Sequence, residues 1–97
     1  MATYVSMVTW TGDPRPGPRD VRDAIRRRDD ALMRAGLHSV ALLPGERECA
    51  AVMVASVPDE RALGKLARSI LPDADVTMEA MRFDQELTPE EYVVCRA

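Results

Sequence analysis

The chain has 97 residues, of which 46% are hydrophobic, 30% charged and 4% aromatic, which suits one domain over residues 1–97 and excludes a second. Its 13 basic and 16 acidic residues leave a net charge of −3, so no overall positive field draws in nucleic acid or an anionic membrane, and neither is expected as a partner. The longest apolar stretch falls far below the ~18 residues that cross a bilayer, and no charged start with an apolar run opens the chain, so a cytoplasmic location is expected.

Thr3 to Trp10 reads as the first strand, because Tyr4, Val5, Val8, Thr9 and Trp10 are strand formers on a stretch without Gly or Pro. Thr11 to Gly17 follows as an irregular loop carrying Pro14 and Pro16. Gly17, Pro18 and Asp20 then supply an N-cap, a first-turn proline and an acid at the positive helix end. One helix is predicted from there, with Val21, Ala24, Ile25, Arg28, Ala31, Leu32 and Ala35 on one face and Gly36 as its stop. Arg28 interrupts that apolar stripe and is expected to snorkel.

His38 to Leu43 and Cys49 to Val57 are two apolar runs of strand length on either side of the turn Pro44 to Glu48, and together they predict a hairpin. Pro58, Asp59 and Glu60 start a second helix whose Leu63, Leu66, Ala67, Ile70 and Leu71 form an apolar stripe ended by Pro72. Gly64 lies inside it, at a cost of about 1 kcal/mol relative to alanine, and predicts close approach of helix to sheet. Asp75 to Phe83 alternates as a fourth strand, and Thr88-Pro89-Glu90-Glu91 forms a capping box for a short final helix.

The order β-α-β-β-α-β predicts an α+β, ferredoxin-like split β-α-β sandwich: a four-stranded antiparallel sheet with its helices on one face. Only Ser56 is strongly polar between Cys49 and Val57, so both faces of that strand are apolar while helices cover one. A second copy of the chain is the simplest cover, which predicts a homodimer through the open sheet faces.

Several segments carry a family resemblance. Thr3-Tyr4-Val5, the hairpin leading to Gly45, Val57-Pro58-Asp59-Glu60, Thr77 to Arg82 and Leu87 to Tyr92 together resemble the GYD-domain family, small bacterial proteins of the dimeric α+β barrel superfamily. The Gly-Tyr-Asp signature is altered: Gly45 matches the glycine, and Glu46-Arg47-Glu48 intervenes before Cys49 and Ala50 at the tyrosine and aspartate positions. The resemblance implies a dimeric α+β barrel and carries over no catalytic residue. The wider superfamily includes cofactor-free monooxygenases, lactone isomerases, haem-dependent enzymes and amino-acid-sensing modules, and fold alone does not choose among them.

Two residues are candidates for acid–base chemistry. His38 is the single histidine, the side-chain type best suited to proton exchange near neutral pH, although its place just beyond the first helix also fits an exposed imidazolium stabilised by the helix dipole. Period two places Thr77, Glu79, Met81 and Phe83 away from the helices, so Glu79 is expected to point into the barrel as a base or ligand contact, or else to form an ion pair with an arginine. Arg82, of opposite parity, is expected at the rim. Tyr4, Ser6, Val8 and Trp10 share a face assigned to the cavity, because Ser6 is a poor residue to press under a helix, which makes Tyr4, Ser6 and Trp10 candidate ligand contacts.

Cys49 and Cys95 are too few for a disulfide framework, and with one histidine a zinc site would need dispersed ligands, so no metal and no cofactor is predicted. Arg26-Arg27-Arg28 is followed at once by Asp29 and Asp30, a solvated helix side rather than a nucleic-acid patch. Two function classes stay open. One is a homodimer that binds a small, largely apolar molecule in its barrel cavity, or acts on it without a cofactor in the manner of a monooxygenase or isomerase. The other is a non-catalytic sensing or protein-interaction module.

Overall fold

The computed structural model describes residues 2–13, 15–43 and 49–83, with residue 83 described by its backbone alone. The predicted turn at 44–48, the predicted final helix, Leu87 and Cys95 lie outside the described residues. Among the described residues seven elements follow in chain order: β1 (Ala2–Thr11), α1 (Pro18–Arg27), α2 (Asp29–Arg34), β2 (Leu37–Leu43), β3 (Cys49–Val57), α3 (Glu60–Ile70) and β4 (Asp75–Phe83). The strands form one antiparallel sheet in the order β2-β3-β1-β4. This order, with the helical segments inserted between β1 and β2 and between β3 and β4, is the ferredoxin-like α+β fold that the element sequence predicts.

Register decides which side chains share a face. Tyr4, Ser6, Val8 and Trp10 stand opposite Ala55, Met53, Ala51 and Cys49, and all eight are buried. They pack with Val21, Ala24 and Leu32 from the first helical layer and Leu63, Leu66, Ala67 and Ile70 from α3. The even positions of β1 therefore face the helices, and the expectation that Tyr4, Ser6 and Trp10 line an open cavity is corrected. The physical reason is that a serine hydroxyl carries its own remedy: Ser6, 1% exposed, donates to the Met53 carbonyl at 3.4 Å, so burial leaves no orphaned donor. The Trp10 indole N–H likewise donates to the Ala67 carbonyl of α3 at 3.4 Å, which ties the helix to the sheet through the core.

The first helix is not continuous. Arg28 adopts φ −127° and ψ 26°, ending α1 and opening α2, and its side chain is exposed. A straight helix would bring the guanidinium into the stripe above Val21 and Ala24, whereas the break turns it to water and still buries Leu32. At the N-terminus the Asp20 carboxylate accepts from the Gly17 N–H at 2.8 Å, one half of a capping box. The α3 N-cap is Asp59, whose carboxylate accepts from the Ala62 N–H at 2.8 Å.

Gly64 does not serve a close approach to the sheet. A Cβ there would meet the Arg68 guanidinium at 3.5 Å, an ordinary contact with a flexible side chain. Gly36 is the glycine that packing requires: its φ is +112°, and a Cβ on it would collide with the Ser56 carbonyl.

Candidate functional site

Odd residues of β1 and even residues of β3 face away from the helices, with Thr3, Val5, Met7 and Thr9 opposite Ser56, Val54, Val52 and Ala50. On the other flank Met7 pairs with Glu79 and Val5 with Met81. The middle of this open face is thus a patch of Val5, Met7, Val52, Val54 and Met81, with Met7 50% and Met81 63% exposed. A shallow depression of about 310 Å³ lies in it, lined by Val5, Met7, Val52, Glu79 and Met81 among others. Glu79 is on the open face as its parity predicts, exposed at the side of the depression rather than enclosed by it.

A polar cluster marks one end of the same face. The β2–β3 register shifts between Leu37 and Ser39, which leaves His38 as the extra residue of a bulge and frees its ring to reach the neighbouring strand. His38 Nε2 lies 2.7 Å from Ser56 Oγ, and Ser56 Oγ lies 2.9 Å from Thr3 Oγ1. The donor and acceptor roles along this run of imidazole, hydroxyl and hydroxyl are set by the imidazole tautomer. Ser56 and Thr3 were not singled out by the sequence, although Ser56 is the one strongly polar residue of its strand, which is the signal that could have found it.

The two acid–base candidates are not brought together. Thr3, beside the His38 cluster, and Met7, beside Glu79, are four residues apart on β1, about 13 Å along the strand. Within the chain, therefore, the pair forms no common site. Tyr4, Ser6 and Trp10 belong to the opposite face. Arg82, on β4, is exposed, in agreement with a rim position. Cys49 is buried, and desolvation, reinforced by the Asp20 carboxylate and opposed by Arg15, pushes its thiol above the ordinary value, which suits a packed side chain rather than a nucleophile. Among the described residues no group of three or more His, Cys, Asp or Glu is placed to hold a metal ion, and no helix is long and apolar enough to cross a membrane.

No family model matches the chain, and no curated protein does either. Among solved structures it is similar to a dimeric ferredoxin-like protein from an uncultured marine organism, at 13% identity over 91% of this chain and 99% of that one, with a TM-score of 0.41. A second dimeric ferredoxin-like protein from an uncultured marine organism is 14% identical over 90% of this chain and 100% of that one, with a TM-score of 0.45.

Proposed function

We propose that the chain acts as a homodimer closed over its open sheet faces, a dimeric α+β barrel of the GYD-domain kind, and that it holds a small, largely apolar molecule between the two sheets. The observation that carries this reading is the uncovered apolar patch of Val5, Met7, Val52, Val54 and Met81, in which Met81 is 63% exposed; antiparallel sheets that face water normally alternate toward polar residues. Four strands about 4.8 Å apart and some 9 residues long present roughly 600 Å² per protomer, so two faces bury about 1,200 Å², which is the lower end of stable interfaces. The depression beside Glu79 supplies the start of a cavity, and Glu79 supplies a carboxylate to meet a polar atom of the ligand or to take a proton from it. A second reading, a non-catalytic sensing or interaction module, is favoured by the separation of His38 from Glu79.

Sedimentation at micromolar concentration tests the assembly: the expected species is twice the 10.7 kDa of one chain, and Val54→Asp, which places a charge in the patch, is expected to give a folded monomer. A wild-type monomer would sink the reading. A thermal-shift screen of apolar small molecules then separates the two functions, since a barrel ligand should stabilise the wild type and not Val54→Asp.

A further inference from the structure

The helix side of the sheet has an opening of its own. At the β2 edge, α1 and α2 leave a groove of about 450 Å³, within the range of small-molecule sites. Its floor is apolar, built from Ile25 of α1 and Leu37, Val40 and Leu42 of β2. Met33, 60% exposed, forms part of its wall. Its charged rim has one dominant sign: Arg22 and Arg26, one helical turn apart on α1, against the single carboxylate of Asp29.

We infer that this groove binds a small amphiphilic acid, with the apolar body on Ile25, Leu37, Val40 and Leu42 and the carboxylate between Arg22 and Arg26. The apolar floor supplies the burial and the paired guanidiniums supply the sign of the head group. The occupant is a free small acid rather than a membrane surface, because the whole chain carries a net charge of −3 and would be repelled by an anionic bilayer. The inference does not rest on dimerisation, since the groove lies at the β2 edge and on the helix side, away from the patch centred on Val52 and Val54.

Decanoate is the probe, titrated into isotope-labelled full-length protein and followed by amide chemical shifts. Saturable shifts centred on Leu37–Leu42 are expected, with affinity at least tenfold weaker in an Arg22→Gln/Arg26→Gln double variant whose circular dichroism matches wild type. Decyltrimethylammonium, the same chain with the opposite charge, is expected to bind at least tenfold more weakly than decanoate. Equal affinity for the two probes would reduce the groove to apolar adsorption and overturn the inference. So would shifts centred on Val52 and Val54, an absence of saturable binding, or arginine-dependent binding to phosphatidylglycerol vesicles without binding of free decanoate.

Discussion

Gly36 and Ser56 are held backbone to backbone: the Ser56 N–H donates to the Gly36 carbonyl at 2.9 Å, and the approach leaves no room for a Cβ on residue 36. The same contact brings the start of β2 against the end of β3, where the Ser56 hydroxyl meets His38. A helix stop, a sheet edge and the polar cluster therefore depend on one glycine.

Gly36→Ala is expected to destabilise by about 2 kcal/mol or more, since the substitution adds strain at positive φ to a collision with backbone that cannot move aside. A urea midpoint unchanged from wild type would show that the β2–β3 end is looser than its geometry implies.

Gly64→Ala should act in the opposite direction, raising stability by up to about 1 kcal/mol, because the helix gains propensity and the added methyl meets only the Arg68 side chain at 3.5 Å. A lowered midpoint would mean that the sheet approaches this position after all.

Leu63→Ala is expected to cost about 2 to 5 kcal/mol, because Leu63 is 0% exposed beneath α3. Met33→Ala, at a site 60% exposed, should shift the midpoint by no more than about 0.5 kcal/mol. Denaturant titrations in which the two rank the other way would contradict the helix faces.

Glu79→Gln keeps the shape of an exposed side chain and should leave stability within about 0.5 kcal/mol of wild type, while weakening any ligand of the proposed barrel that the carboxylate contacts. A loss of roughly 3 kcal/mol would instead reveal a buried ion pair formed across the proposed dimer.

The Cys49 thiol makes an alkaline prediction. Its folded value is raised, first by burial and then by Asp20, so above the ordinary thiol range the unfolded chain loses a proton that the native chain keeps. The stabilisation is complete below about pH 8.5 and diminishes as pH rises through the native value. Urea melts at pH 8 and 10 should therefore show a steeper alkaline loss in wild type than in Cys49→Ala; parallel losses would place the effect elsewhere.

Strand positions were legible because the Gly and Pro punctuation and the two-residue period agree: β3 and β4 have the boundaries that the sequence predicts, and Glu79 lies on the predicted face. The faces of β1 were not, because both parities carry apolar residues and the Ser6 hydroxyl points the assignment the wrong way; the bulk of Tyr4, Val8 and Trp10 is the better guide to the core. The helix break was hinted at by Arg28 within the stripe, but periodicity alone does not distinguish snorkelling from a turn. The approach of His38 to Ser56 depends on a bulge and a register, neither of which local composition encodes.

The first strand made is the one the sheet is built around. β1 lies between β3 and β4, and its contacts with β4 run from Thr11 with Asp75 to Thr3 with Phe83, so its partners come from far along the chain. Such long closures raise the entropy cost of the folding nucleus and slow it relative to a hairpin-rich sheet of the same size. During synthesis β1 can pair with β3 once Val57 has emerged, but its other edge stays open until β4 leaves the ribosome. Val5 and Met7 are then at risk of pairing with a neighbouring nascent chain, and slowing translation after α3 should increase aggregation of this protein rather than relieve it.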